Sequence, residues 1–364
     1  MGREYSMSSA SISATSQQIR FCESSDGVRI AFATAGCGEP LVLSATWLTH
    51  LEYQWHSLAW RPWLEMLSRH YRLLRYDPRG CGLSDHDAED VSFETWVRDL
   101  EAVVDAAGLG RFALLGVCQG GPIAIEYAAR HPERVSRLVL YGTYARGKSR
   151  RSSVPQEAEK AKLWLDLLRL GWAQEDHSFM QVFATQFQPQ GSIEHLRSWC
   201  ELQRVATSAA NAVRLMQVTF DVDVQGSASR VACPALVVHV DRDAVVPLEE
   251  ARQLAKLIPG SQFLQLESPN HMLLPNEPAW SRFSEALRAF LPHEAFNDLT
   301  DRERQLLEFL ARGCDNHQIA AHLGLSEKTV RNLVSSIFGK LEVESRGHAI
   351  VRARDAGYGL QPKP

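Results

Sequence analysis

A cysteine stands between two glycines in Gly116-Val117-Cys118-Gln119-Gly120, directly after the apolar run Phe112-Ala113-Leu114-Leu115. A nucleophile at a sharp strand-to-helix turn needs glycine two residues before it and two after. A side chain at either place would strike the neighbouring strand or helix. Such a nucleophile works with a base, and the base with an orienting acid. Both follow in the chain: Asp243, four residues before Pro247, and His271 in Ser268-Pro269-Asn270-His271. Asp241, two residues upstream of Asp243, competes for the acid's place. The chemistry of this set is acyl transfer, with Cys118 attacking a carbonyl carbon, His271 moving the proton and Asp243 holding the imidazole. A histidine partner or a helix N-terminus favours the thiolate, which is the attacking species. Thioester formation suits lactones, thioesters and activated esters. Ordinary amide cleavage is disfavoured, because a thiolate is the easier group to expel from an amide-derived intermediate.

Placing these residues together takes a sheet. Short β-rich runs at 28–33, 41–44, 71–77, 112–117, 135–141, 234–240 and 262–266 alternate with helical stretches at 93–107, 122–130, 248–257 and 280–291. Strands alternating with helices predict an α/β domain, a doubly wound and mostly parallel sheet covered on both faces, over residues 19–291. Between residues 145 and 230 the pattern changes to amphipathic helices with no strand, carrying Trp164, Trp172, Phe179, Met180, Phe183, Phe187 and Trp199. An insertion of that kind is expected to sit as a lid over the pocket, its aromatic residues serving packing more than ligand contact. His50 and Arg79 face the pocket or hold the structure, and Cys81 and Cys233 are expected in the core. Residues 1–18, Ser-rich and polar, read as a disordered tail, 292–298 as a linker, and 299–364 as a separate all-α domain.

The 364 residues suffice for two or three domains, and a 45% hydrophobic content is ample for a packed core. A net charge of −4 argues against attraction of the whole chain to nucleic acid or acidic lipid, so any DNA contact rests on a local surface. The seven cysteines are odd in number and scattered, with no Cys-x-x-Cys pair, so neither a disulfide framework nor a metal site is indicated, and no cofactor motif occurs. The expected home is a reducing cytoplasm. No apolar run approaches the ~20 residues needed to cross a bilayer, so no membrane partner is expected. Met1-Gly2 with Ser6 matches a permissive myristoylation pattern that nothing else in the chain supports.

The order nucleophile, acid, histidine resembles that of the α/β-hydrolases, and Tyr76-Asp77-Pro78-Arg79-Gly80-Cys81-Gly82-Leu83-Ser84-Asp85 is similar to that family's Asp-x-Arg-Gly-x-Gly-x-Ser turn. The resemblance spans residues 19–291. Thr49-His50-Leu51-Glu52 and Val139-Leu140-Tyr141-Gly142-Thr143 narrow it to hydrolase-like domains attached to signalling modules in bacteria. Within the family the elbow residue is usually serine. Cysteine at this place resembles the dienelactone hydrolases. The resemblance also implies an oxyanion hole made of the backbone N–H of Gln119 and one from the loop Ala45-Thr46-Trp47, where Thr46 replaces the usual glycine and Trp47 supplies the second donor.

The stretch from Leu299 to Arg346 resembles LuxR-type helix-turn-helix domains along nearly its whole length, through Leu299-Thr300-Asp301-Arg302-Glu303, Leu325-Ser326-Glu327-Lys328-Thr329-Val330-Arg331-Asn332 and Ile337-Phe338-Gly339-Lys340-Leu341. Gly313 ends one helix, Gly324 makes the turn and Ser326 caps the next, while Val330, Val334, Ile337 and Leu341 recur at helical spacing and face inward. The opposite face presents Arg331, Asn332 and Ser335 to a major groove, where arginine pairs with guanine and asparagine with adenine. Lys328, Thr329, Ser336 and Lys340 are placed for phosphates. The final helix, 347–356, resembles a dimerisation helix, which implies a homodimer on a near-palindromic promoter, with RNA polymerase as a further partner. The combined expectation is a transcription regulator that senses, or slowly hydrolyses, a small ester, lactone or thioester-like ligand. Its rivals are a cysteine hydrolase whose C-terminal module only localises or dimerises it, and a receptor that binds reversibly with Cys118 incidental.

Overall fold

A computed structural model of the chain describes residues 17–151, 155–172, 178–291, 296, 299–341, 343–355 and 358–359. The chain divides into two units, Met1–Pro292 and His293–Pro364. The first is built on one eight-stranded sheet in the order β1-β2-β4-β3-β5-β6-β7-β8. Its strands are β1 Gln18–Glu23, β2 Arg29–Ala35, β3 Pro40–Leu43, β4 Arg72–Tyr76, β5 Phe112–Val117, β6 Val135–Tyr141, β7 Ala235–Val240 and β8 Gln262–Leu266. The pairs β1/β2 and β2/β4 are antiparallel and every other pair is parallel.

Every residue of β5 and of β7 is buried. Parallel strands covered on both faces read as continuous apolar runs, as Phe112-Ala-Leu-Leu does. The outermost strands, β1 and β8, are mostly exposed or half-buried. The expected tail is corrected at its last two residues: Gln18 opens β1, and Gln17 donates to Leu51 O and accepts from Arg75, because the buried Arg75 guanidinium needs acceptors. The rest of that tail and most of the expected linker lie outside the described residues. Phe296, from that linker, stacks on Tyr358 at 5.4 Å.

Helices Pro155–Gly171, Ser178–Phe187, Ile193–Ala206, Ala209–Asp221 and Gln225–Ala228 fill the interval between β6 and β7. Their caps are local, with Ser192 accepting from the His195 amide and Ser208 from that of Asn211. This lid is fastened to the sheet's loops: Met272 N donates to Phe187 O at 3.0 Å, Gly82 N to Ala206 O at 2.8 Å, and Asn211 Nδ2 to His86 O at 2.9 Å.

The second unit contains helices Asp301–Ala311, Asn316–Leu323, Glu327–Lys340 and Arg346–Asp355 around a core of its own, including Leu306, Leu307, Leu310, Ile319, Val330, Ile337 and Leu341. Thr300 and Asp315 form reciprocal capping boxes with Glu303 and Gln318. Gly324 closes the Asn316–Leu323 helix at φ +63°, and Ser326 accepts from the Thr329 amide at 3.1 Å to start the next. Among the described residues no helix is long and apolar enough to cross a membrane.

Candidate active site and DNA-reading helix

Cys118 sits between the end of β5 and the helix Gly120–Arg130, with φ at 49°. A left-handed, non-glycine residue costs about 1–3 kcal/mol and persists only where its surroundings hold it. Two hydrogen bonds do so here: Cys118 N donates to Tyr141 O at 3.0 Å, and Thr143 Oγ1 donates to Cys118 O at 2.5 Å. Both flanking glycines are required by close approach. A Cβ on Gly116 would lie 2.7 Å from Gly121 Cα, and one on Gly120 would lie 2.8 Å from Ser44 O.

His271 and Asp243 come from the loops after β8 and β7 and are fully buried at the side chain. His271 Nδ1 lies 2.7 Å from Asp243 Oδ2, while Asp243 Oδ1 accepts from the amides of Val245 and Val246 at 2.8 and 2.9 Å. Asp241 turns the other way, accepting from Ser268 N at 3.0 Å, so geometry separates the two candidate acids. Burial opposes charge on His271, yet the carboxylate of Asp243 and then the sulfur of Cys118 outweigh it and push the imidazole up to about 10. Burial also opposes charge on Asp243, and His271 nonetheless holds its carboxyl below the usual range. His271 Nε2 is buried without a protein hydrogen-bond partner, which leaves that atom for proton exchange with the thiol side of the site.

A second histidine, not singled out from the sequence, braces the acid. His239 Nε2 lies 3.4 Å from Asp243 Oδ2 and 2.9 Å from Val246 O, and burial holds its imidazole below the ordinary pKa, so it stays neutral. Tyr141 Oη donates to His271 O at 2.8 Å and fixes the histidine loop against β6.

A cavity of about 90 Å³ opens over Cys118. Trp47 and Gln119, the two expected oxyanion donors, line it, and among the described residues neither backbone amide has a protein acceptor. The loop that carries Trp47 is strained at Leu48 (φ 50°), not at Thr46, the residue that stands in place of the usual glycine. Asp77, buried at the end of β4, holds this loop by accepting from Leu51 N at 3.1 Å and Leu83 N at 2.9 Å. Arg79 is structural: it is buried and paired with Asp99 at 2.7 Å and Asp26 at 2.6 Å. His50 is a helix cap, accepting from Tyr53 N. Cys81 and Cys233 are buried in the core, and burial pushes both thiols up.

Of the lid's aromatic residues, Trp164, Phe183 and Phe187 line the cavity together with Phe220. Trp172, Met180 and Trp199 pack into the core, and Phe179 is exposed. Thr219 Oγ1 donates to Gln119 Oε1 at 2.9 Å, so a lid helix touches the residue that follows Cys118. Tyr144, Lys148 and Arg151 also line the cavity, and sequence reasoning missed all three. Their one signal was position, just beyond the C-terminal end of β6, where parallel sheets place ligand contacts.

On the helix Glu327–Lys340, Val330, Val334 and Ile337 are buried, and Leu341 just beyond it is buried too. Lys328, Thr329, Arg331, Asn332 and Ser335 are exposed. Ser336 is exposed and Lys340 partly so, and both also bond within the unit. Ser336 Oγ donates to Glu303 Oε1 and Lys340 Nζ to Glu303 Oε2, each at 2.7 Å. Glu303 is 3% exposed, and a carboxylate so buried requires donors, which these two residues supply.

Comparison with known proteins agrees with both halves of this architecture. Residues 40–278 match the family described as alpha/beta hydrolase fold, and residues 297–353 match the luxR family of bacterial regulatory proteins. The chain is similar to an AB hydrolase superfamily protein, YisY, of Bacillus subtilis (strain 168), with 26% identity over 69% of this chain and 91% of that protein. Among solved structures it is similar to a hydrolase from Pseudomonas aeruginosa PA01, with 25% identity, a TM-score of 0.61, and coverage of 75% of this chain and 97% of that one. An esterase from Exiguobacterium antarcticum gives 25% identity and a TM-score of 0.61 over 74% of this chain and 98% of its own. The chain therefore belongs to the α/β-hydrolase fold family, and joins that domain to a C-terminal DNA-binding domain of the LuxR type.

Proposed function

We propose that this chain is a cytoplasmic transcription regulator that senses a small ester, lactone or thioester-like molecule by acylation of Cys118. One observation carries the reading. A left-handed Cys118 faces a cavity, backed by the buried His271–Asp243 pair, in the same chain as a LuxR-type reader. The esterase likeness supports the ester class.

In the proposed reaction His271 takes the Cys118 proton and the sulfur attacks the carbonyl carbon. The oxyanion is received by the Gln119 and Trp47 amides. Collapse breaks the bond to the leaving alkoxide, which takes the proton from His271, and a thioester remains on Cys118. Neutral His271 then draws a proton from water, whose oxygen attacks the thioester, and the acid is released as sulfur regains the proton. Slow completion of the second half would make the acylated form a lasting signal.

On the DNA side Arg331, Asn332 and Ser335 read bases, with Lys328 and Thr329 at phosphates. A homodimer through the helix Arg346–Asp355 would address two half-sites, and RNA polymerase would be the downstream partner. That helix buries Ala349 and Ala353 against its own unit and leaves Val351 60% exposed, which supports an outward face for pairing.

The test is intact-mass spectrometry of the full chain exposed to p-nitrophenyl butyrate, beside selection of genomic fragments by the same samples. The reading expects a mass gain that Cys118→Ala abolishes and a fragment set whose occupancy changes with acylation. A mass gain without any sequence preference would favour a hydrolase that the second domain merely localises. Sequence preference that responds to ligand equally in Cys118→Ala would favour a reversible receptor.

A further inference from the structure

The cavity over Cys118 is lined mostly by apolar residues, among them Trp164, Phe183, Phe187, Met216, Phe220 and Val246, but it also holds cationic side chains. Lys148 and Arg151 line it, and among the described residues no acidic side chain does. Arg151 is 12% exposed at the side chain. Its Nε donates to Arg146 O at 2.8 Å, and among the described residues its Nη atoms meet no acceptor. Among the described residues its ion-pair partner is Glu250, 4.0 Å from Nε and already bound to Arg146 at 2.8 Å, so that one negative charge serves two guanidinium groups. Arg151 lies over the ring of Tyr144 with 4.5 Å to the centroid. Tyr144 is 3% exposed, lines the same cavity, and its hydroxyl is buried with no hydrogen-bond partner.

A largely buried cation lacking a full complement of acceptors is costly, as is a buried hydroxyl with none. Two such groups stacked at one wall of a reaction cavity share a remedy: an anionic oxygen pair that accepts from the guanidinium fork and from the phenol.

We propose that the ligand's acyl chain carries a carboxylate at its far end, paired with Arg151 and hydrogen-bonded by Tyr144 Oη, so that the carbonyl end meets Cys118. The substrate class is then a half-ester, lactone or thioester of a short dicarboxylic acid. Its acyl part is compact, since the cavity measures about 90 Å³. This rests on the acylation reading above, and the apolar wall accommodates the methylenes between the two ends.

Mono-p-nitrophenyl glutarate and p-nitrophenyl valerate carry five-carbon acyl chains that differ only by the terminal carboxylate in place of methyl. With the full chain, the first should acylate Cys118 at least tenfold faster in kcat/KM. Arg151→Met should bring that ratio close to one, and Tyr144→Phe should lower it severalfold. Titration of free glutarate into Cys118→Ala reads the subsite without chemistry: binding is expected, and should be lost when Arg151→Met is added. Circular dichroism verifies folding, and Arg151→Gln stands in should the methionine variant fail to fold. Equal rates for the two esters, or a ratio that Arg151→Met leaves unchanged, would overturn the proposal. If glutarate binds through Arg151 while neither ester acylates the protein, the subsite stands and the acylation reading falls. If it neither binds nor distinguishes the esters, the subsite falls alone.

Discussion

The two sites of this chain are built in opposite ways. The hydrolase-type centre is buried and strained, and it is assembled from residues far apart in sequence: Cys118 at φ 49°, Asp243, and His271, which lies 28 positions beyond Asp243. The proposed DNA-reading surface is exposed and unstrained, and comes from one helix, Glu327–Lys340, in which Lys328, Arg331, Asn332 and Ser335 lie within eight residues. A reaction centre has to exclude water and hold charge in a low dielectric, so it draws on the whole sheet. A groove reader has to project donors outward, which a single amphipathic helix does.

The nine tryptophans make this contrast measurable, because all of them precede Pro292. Tryptophan fluorescence therefore follows the first unit alone, while far-UV circular dichroism follows both.

The largest expected effect is that of Cys118→Ala, which should abolish the acyl adduct in intact-mass spectra while leaving nonspecific DNA affinity unchanged in a mobility-shift titration. An adduct that survives this change would place the chemistry elsewhere. Next is Asp243→Asn, which removes the charge that outweighs burial at His271. The imidazole should fall from about 10 toward or below its ordinary range, and acylation at pH 7 should slow by about 10²-fold or more. Stopped-flow bursts from pH 5 to 10 would detect this, and an unaltered pH profile would deny Asp243 its role.

The third prediction sets the units against each other in pH. His271 is raised on folding, so its contribution to stability is full below about 6.5 and is lost as pH climbs through about 10. Burial opposes charge on Glu303, but Lys340, Ser336 and Thr300 lower its carboxyl to about 2, so its contribution is full above about 4.5 and is lost as pH falls toward 2. The fluorescence-detected transition should weaken in alkali, and the second unit should weaken as pH falls toward 2. Glu303→Gln should cost the second unit roughly 2–3 kcal/mol by the same linkage and remove its acid sensitivity. A fluorescence transition displaced by Glu303→Gln would mean that the units do not unfold independently.

The smallest effect is that of Arg331→Ala, which should lose about 1–3 kcal/mol of preference for the selected fragment over random duplex. Retention of full preference in a competition assay would remove Arg331 from base readout.

Much of this was legible before any coordinates. Alternating apolar runs located seven of the eight strands, and missed β1 because its residues are exposed or half-buried and carry no clear pattern. The glycine frame around Cys118 and the order of acid and histidine were equally visible, since they reflect a local steric rule and a chain order. Asp243 was favoured over Asp241 from the text, but two carboxylates two residues apart in a loop are close rivals there, and it is the position of His271 and of the Val245 and Val246 amides that sets them apart. The bonds of Ser336 and Lys340 to Glu303 were not legible, because helical periodicity puts them on the outward flank and says nothing of a buried carboxylate on another helix.

The sequence by itself determined what depends on neighbours within a few residues. Strand and helix order, the caps at Thr300, Asp315 and Ser326, the turn at Gly324, the inward stripe of the reader helix and the sharp turn that carries Cys118 all belong there. Tertiary structure alone decided which polar groups meet. It paired Asp243 with His271, made Arg79 and His50 structural, and brought Tyr144 and Arg151 to the wall of the reaction cavity. The physical reason is range: steric and capping preferences act over one turn of chain, while the desolvation of a charge is settled by whichever distant residue arrives to satisfy it.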